Sequence, residues 1–349
     1  MRPSHMEETM KHLAVVYNWI RKNTIISVTI IIFIIMLLFV PQFATITNIR
    51  NIMLQMSYVG IAAVGLSYVL IGGGNDLSIG TGITFCGIVG GIAMTGILAP
   101  TLGAPLGIAI MIGMGLLIGL LNGTMVAGIG VNAFVMTLIT QTLFKGLSLL
   151  FTNSATLRGL PEGFLMISDT LIVGIPLPFI LLLVLFIGGQ FVLSKTTYGR
   201  ALYVVGSNPK AAKLIGISVK GVFLISYVFC GVCTAVSSII LTSRLSASSP
   251  SAGNDLFLDI LSAAVIGGNS LFGGKGSVIG TAFGVLLMAL IANALTLLGV
   301  GYQVTRIIKG AIILFAVVLD VINEKLSAKR MLTFSSEHDF TDAAAKSSI

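Results

Sequence analysis

Apolar residues run along this chain in blocks of about twenty, separated by short stretches that carry polar residues, glycine or proline. A helix needs about 20 apolar residues to cross the hydrocarbon core of a bilayer. The blocks predict ten such segments, at approximately 24–43, 52–71, 79–98, 104–127, 133–152, 174–194, 221–241, 256–270, 277–298 and 303–323. The eighth is short and glycine-rich, which suits a half-span or a re-entrant segment. None of the blocks alternates apolar and polar positions as a barrel strand does. The pattern therefore predicts an all-α, polytopic membrane bundle in which helices satisfy the backbone groups that lipid cannot. The first block is too long for a cleaved leader and runs into Pro41-Gln42-Phe43 rather than a small-residue cleavage site. The expected organisation is a tail with an interfacial helix over 1–23, where Tyr17 and Trp19 sit at the headgroups, a transmembrane domain over 24–323 and a polar tail over 324–349. One substantial hydrophilic loop, 195–220, interrupts the spans.

Composition agrees. Of 349 residues, 56% are hydrophobic and only 9% charged, and the mean hydropathy is +1.04. A soluble chain carries roughly 25% charged residues. Charge this sparse cannot cover a water-facing surface, which excludes a soluble enzyme, a secreted disulfide scaffold and a disordered protein. The formal net charge is +8, but the cations lie between apolar blocks and form no basic tract interleaved with aromatics, so nucleic acid is not an expected partner. With the N-terminus in the cytoplasm, fourteen of the twenty Lys and Arg residues fall on the inner side, as the positive-inside rule requires. Both termini are then cytoplasmic.

Two regions about 200 residues apart resemble each other. Ala62-Ala63-Val64, Gly72-Gly73-Gly74 and Ile79-Gly80-Thr81 match Ala263-Ala264-Val265, Gly273-Gly274 and Ile279-Gly280-Thr281. Duplications with glycine-interrupted helices near the substrate path are common in transporters. Polar residues inside spans are costly and usually face protein or a watery path. The second span carries Asn48, Asn51, Gln55 and Tyr58 on one face, and the fifth carries Thr137, Gln141, Lys145, Ser148 and Thr152. These two stripes, with amides and a cation, suit a route for a polar solute; the alternative is interhelical hydrogen bonding. The seventh span carries Ser226, Cys230, Thr234 and Ser237, small residues that suit packing. Asp76, within Gly74-Asn75-Asp76-Leu77-Ser78-Ile79-Gly80, is placed to cap the helix that follows or to contact substrate. Asp259, ahead of the region of Gly268 and Gly274, admits the same two readings.

Catalytic arrangements fail on inspection. His5, His12 and His338 all lie in the tails, leaving no buried triad or metal cluster. Cys230-Gly231-Val232-Cys233 lies in an apolar span without further ligands. Gly268–Lys275 departs from a P-loop at Asn269 and Gly276. No nucleotide or other cofactor is expected on this chain.

From about Phe43 to Asp320 the sequence resembles the membrane subunits of bacterial ABC-type monosaccharide importers, the ribose-transport permease group. The resemblance is carried by the ordered series Gly73–Gly80, Asn122-Gly123, Phe134–Leu138, Lys145-Gly146, Tyr198-Gly199-Arg200, Gly206-Ser207-Asn208, Ala211-Ala212, Gly216-Ile217, Leu258-Asp259, Ala263–Gly268 and Gly273–Thr281. It implies a permease for a neutral monosaccharide or similar polyol in the bacterial inner membrane. It further implies a second permease copy or a paralogue, a cytoplasmic ATPase that uses ATP and Mg, and a periplasmic sugar-binding protein. The segment with Gly199, Arg200, Gly206, Asn208, Ala211, Ala212 and Gly216 resembles the family's ATPase-coupling segment; its cations would also serve to fix topology. Asn75, Ser207, Phe257, Asn269 and Phe272 depart from the family's usual residues. A stand-alone secondary transporter or channel is the rival reading.

Overall fold

The computed structural model of this chain describes residues 24–96 and 99–312, with positions 314, 315, 318 and 321. The tails expected at 1–23 and 324–349, with Tyr17, Trp19 and the three histidines, lie outside the described residues. The elements in order are α1 (Thr24–Phe39), α2 (Ile46–Ile71), α3 (Ile79–Thr95) and α4 (Ala99–Gly123), which continues as a π-helical stretch, Thr124–Ile129. Then come α5 (Ala133–Thr152), α6 (Glu162–Asp169), a hairpin of β1 (Leu171–Ile172) and β2 (Ile175–Pro176), and α7 (Leu177–Lys195). The chain proceeds through α8 (Thr197–Ser207), α9 (Pro209–Leu214), α10 (Val219–Leu245), α11 (Leu256–Ile266) and α12 (Val278–Leu297). Helical turns follow over 302–312.

The all-helical expectation holds for the spans; the two-residue strands pair only with each other. The count of ten spans is not confirmed, and the tenth predicted segment, 303–323, lies in part outside the described residues. Six helices among the described residues are long and apolar enough to cross a membrane: Ile46–Ile71, Gly103–Ile129, Ala133–Thr152, Leu177–Lys195, Val219–Leu245 and Val278–Leu297. The first, third and eighth predicted segments form shorter apolar helices, of which α11 has only 11 residues. Glycine is the reason for this last shortfall, because Gly267 and Gly268 end α11 before it reaches membrane length.

Side-chain oxygens set several helix starts. Thr45 accepts from the Asn48 N–H ahead of α2, Asn132 from Phe134 and Val135 ahead of α5, and Ser277 from Gly280 ahead of α12. The interior is built around α2 and α10. α2 is buried over most of its 26 residues, and α10 packs against α4, α2 and α3. Where α10 crosses α4 the backbones touch: a β-carbon at Gly115 would overlap the Gly231 carbonyl, and one at Gly119 would stand 2.5 Å from the Tyr227 carbonyl. Small residues permit this approach, on which packing in lipid depends. α7, α11 and α12 flank the other side of α2, and α1 lies against α12. Exposed apolar side chains concentrate on α1, α5 and α7, including Leu38, Phe39, Leu150 and Ile187, as a lipid-facing rim requires.

Ser226, Cys230, Thr234 and Ser237 are buried in the body of α10. Ser237 donates to the Tyr58 carbonyl at 2.6 Å and the neighbouring Ser238 to the Ile83 carbonyl at 2.6 Å. This face is a packing seam.

Candidate functional site

Two helix breaks, a polar cavity and a cationic loop are the parts of the molecule that can do work. The first break follows α2. Gly72 closes the helix, Gly73 takes φ +85°, and the Gly74 N–H returns to the Val69 carbonyl at 2.9 Å. The second follows α11 in the same way: Gly267 closes it, Gly268 takes φ +89°, and the Asn269 N–H returns to the Ala264 carbonyl at 3.1 Å. A left-handed glycine after a helix is what lets the chain turn back on its own last carbonyls. The backbone thus equates Gly72-Gly73 with Gly267-Gly268, whereas the sequence match paired Gly72–Gly74 with Gly273-Gly274. The same turn also ends α9 at Gly216 and α12 at Gly299, so the two breaks share a common helix ending, in a register about six residues from the sequence match.

Asp76 is 4% exposed. Its Oδ1 accepts from the Ser78 N–H at 2.9 Å and from the Ser78 hydroxyl at 2.5 Å, and its Oδ2 lies 3.7 Å from the Cys230 thiol. Ser78 in turn accepts from Asn122 Nδ2 at 2.9 Å, and Asn122 Oδ1 from Thr140 at 2.7 Å. Asp76 therefore fixes the turn into α3 and, through Ser78, joins that turn to α4 and α5. Gly80, one turn further, packs against the Gly253 carbonyl, 2.7 Å from where its β-carbon would be.

Asp259 is not a cap. Asp255 occupies the position before α11, while Asp259 lies inside the first turns and pairs with Lys309 at 2.8 Å, the two side chains 11% and 17% exposed. Sequence reading missed this partner because Lys309 lies fifty residues away in the last apolar block. Asp255 pairs with Arg306 at 3.0 Å and also accepts from the Tyr302 hydroxyl.

The two predicted polar stripes do not meet in one cavity. Gln141 and Lys145 of α5 line a polar cavity of about 250 Å³ with Thr81, Asn254, Asp255 and Arg306. Gln55 instead faces a separate, much smaller space beside Asp259, with Val59 and Met288. Tyr58 is turned to Arg244, whose guanidinium lies 5.5 Å from its ring centroid. Asn51 is exposed, and Asn48 forms a reciprocal amide pair with Asn293 at 3.0 and 2.7 Å. Thr137 donates to the Ala133 carbonyl of its own helix at 2.8 Å and lies outside the cavity lining. Asn254, Asp255, Tyr302 and Arg306 had not been singled out in sequence; an acid and a cation bracketing two short apolar blocks were the available signal.

The 195–220 loop folds into α8 and α9. Thr196 accepts from the Gly199 N–H at 3.2 Å, and Asn208 accepts from the Lys210 and Ala211 N–H groups at 3.0 Å each. Gly216, at φ +83°, turns the chain into α10. Leu202, Val205 and Ala212 are buried, whereas Arg200, Lys210, Ala211 and Lys213 are exposed. Leu214 and Ile215 are 88% and 69% exposed. An apolar tip ringed by cations is thus presented outward. Burial pushes the Tyr198 hydroxyl up to about 12 and raises that of Tyr203, so both stay protonated. Tyr203 donates to the Gly276 carbonyl at 2.7 Å.

Comparison with known proteins gives these parts a context. The family described as "Branched-chain amino acid transport system / permease component" matches residues 48–317. The ribose import permease protein of Escherichia coli (strain K12) is 33% identical over 308 residues, covering 86% of this chain and 94% of that protein. That of Bacillus subtilis (strain 168) is 37% identical over 283 residues, covering 80% and 86%. The xylose transport system permease protein of Escherichia coli (strain K12) is 32% identical over 343 residues, covering 80% and 86%. No solved structure matches the chain. The chain belongs to this family of transport-system permease components and, within it, to the ribose-transport permease group that its motifs resemble.

Proposed function

We propose that this chain is the membrane-spanning subunit of an ATP-driven importer that carries a neutral monosaccharide, a pentose or hexose of the ribose and xylose kind, across the bacterial inner membrane. Its relatives are permeases named for ribose and xylose. The single observation that carries the reading is the cavity of Gln141, Lys145, Asn254, Asp255 and Arg306. Lys145 is exposed although it is the thirteenth residue of a twenty-residue spanning helix. A cation in that position does not face lipid. It faces a second permease copy, identical or paralogous, with a hydrated path between the two. Amide, carboxylate and ammonium groups are what the vicinal hydroxyls of a sugar hydrogen-bond.

In this reading both termini and the 195–220 segment are cytoplasmic. A separate ATPase holds ATP and Mg and receives the tip of Leu214 and Ile215, flanked by Arg200, Lys210 and Lys213, in a groove. A periplasmic binding protein delivers the sugar to the opposite face. The ATPase and the binding protein drive transport by binding one state of the permease better than the other.

Reconstitution tests it. Proteoliposomes with this chain, its cognate ATPase and binding protein are expected to take up labelled ribose or xylose only with ATP. Uptake by the chain alone under a proton or sodium gradient overturns the reading, and uptake of leucine in place of either sugar overturns the substrate class.

A further inference from the structure

Three stretches of backbone that are distant in sequence meet at one point. A β-carbon at Gly206, near the end of α8, would overlap the Ile71 carbonyl oxygen and stand 2.5 Å from the Gly274 nitrogen. One at Gly273 would stand 2.7 Å from Gly73 Cα and 2.8 Å from the Gly206 carbonyl oxygen. The Gly274 N–H donates to the Ile71 carbonyl at 2.8 Å, so the last carbonyl of α2 is satisfied by the second break. Tyr203, one turn before Gly206, holds the Gly276 carbonyl at 2.7 Å. Beneath this contact Leu202 and Val205 of α8 share a small buried core with Val64, Tyr68 and Ile71 of α2 and Val278 of α12. Close-packed contacts of this kind shift as units rather than deform continuously.

We propose that Gly206 is the pivot through which the cytoplasmic segment acts on both helix breaks at once, so that α8, 72–78 and 267–277 move as one body. The proposal rests on the reading of 195–220 as the ATPase-docking segment. Gly206 and Tyr203 are positioning residues in it: they touch the breaks, and no sugar. A movement imposed at α9 is then delivered directly to the ends of α2 and α11 and the starts of α3 and α12, without passing along the length of a spanning helix.

The test uses the whole transporter with its ATPase. Spin labels are placed at the exposed positions Thr197→Cys and Phe272→Cys, one at the start of α8 and one in the second break; the native cysteines are buried. A second pair joins Phe272→Cys to Val173→Cys, in the exposed hairpin at the other end of α7. When nucleotide is trapped in the ATPase, the 197–272 distance is expected to hold within about 2 Å while 173–272 shifts by about 5 Å or more. A 197–272 distance that moves as far as 173–272 overturns the pivot, as does no movement at either pair in a complex that hydrolyses ATP. Failure of the ATPase to copurify overturns the docking reading instead, which separates the two failures. Gly206→Ala supplies the functional arm. Copurified ATPase is expected at wild-type amount, with uptake lowered about tenfold or more and hydrolysis no longer stimulated by the binding protein. Full uptake by Gly206→Ala overturns the proposal.

Discussion

The two helix breaks solve the same geometric problem with different side chains. In the first, a carboxylate takes the N–H of the serine that opens the next helix: Asp76 to Ser78. In the second, an amide does so: Asn269 Oδ1 accepts from the Ser277 N–H at 3.1 Å. Both carboxylate oxygens of the first break face donors, Oδ1 the Ser78 N–H and hydroxyl and Oδ2 the Cys230 thiol. An amide also donates. Asn269 Nδ2 reaches the Ala264 carbonyl and the Thr281 hydroxyl at 2.7 Å each and Ser67 at 3.1 Å. The first break is consequently tied to α4, α5 and α10, and the second to α2, α11 and α12. The helices that lead in differ as well. α2 is long, largely buried and tied by neutral hydrogen bonds such as the Asn48–Asn293 pair, while 11-residue α11 is anchored by the ion pairs Asp255–Arg306 and Asp259–Lys309. Similar turns can thus be wired to different parts of a bundle by the choice between an acid and its amide.

The comparison breaks hardest at Asn269. Asn269→Asp keeps the shape but sets a carboxylate oxygen against the Ala264 carbonyl, where a donor now sits at 2.7 Å. A buried charge facing an acceptor is expected to cost about 4 kcal/mol or more, read as loss of the folded chain in mixed-micelle unfolding. Wild-type stability would mean that the two breaks are interchangeable. Next in size is Lys309→Met, which leaves Asp259 charged and buried with its Oδ1 already unpartnered, at an expected cost of about 3 kcal/mol. The double substitution Asp259→Leu, Lys309→Met is expected to recover most of it. A double variant no better than the single one would show that the pair does more than hold α11.

The apolar blocks made the long helices legible: the fifth predicted span and α5 share the bounds 133 and 152. Helix ends were harder to read, because they depend on which glycine takes positive φ, and a string of glycines does not say which. That is why the repeat was matched on Gly273-Gly274 instead of Gly267-Gly268, and why α11 was expected to run to residue 270. Asp76 was visible as a turn-holding acid, since its serine partner is two residues away. The polar cavity was not visible as a unit. It draws on 80–81, 141–145, 253–257 and 302–306, and nothing in a linear pattern joins a stripe on one helix to a loop more than a hundred residues later. Leu214 and Ile215 were hidden for the opposite reason, since an apolar pair in a hydrophilic loop reads as packing until its exposure is known.

At the first break the acid itself can be questioned. Asp76→Leu removes the acceptor of both Ser78 bonds in a buried site and is expected to cost about 2–3 kcal/mol, with uptake lost. Asp76→Asn keeps an oxygen for the Ser78 N–H and is expected to stay within about 1 kcal/mol of wild type and to transport. Equal loss in the two variants would show that the negative charge is needed for more than the turn, and would reopen direct contact with the substrate.

The smallest effect separates charge from shape. The Cys230 thiol is the one donor that α10 offers Asp76, and thiol hydrogen bonds are weak. Cys230→Ala is expected to cost about 1 kcal/mol, part of it from the space left by the sulfur. The cycle of Cys230→Ala with Asp76→Asn removes that spatial part, because the sulfur is lost in both backgrounds. If Asp76 is ionised in the folded bundle, the thiol bond is charge-assisted and the coupling is expected to be about 0.5–1 kcal/mol. A coupling of zero would mean that Cys230 only fills space beside the turn. The first break would then be tied to its neighbours by the α4–α5 chain of Asn122 and Thr140, which reaches it through Ser78, and by the Tyr227 hydroxyl of α10, which donates to the Asn75 carbonyl at 2.8 Å.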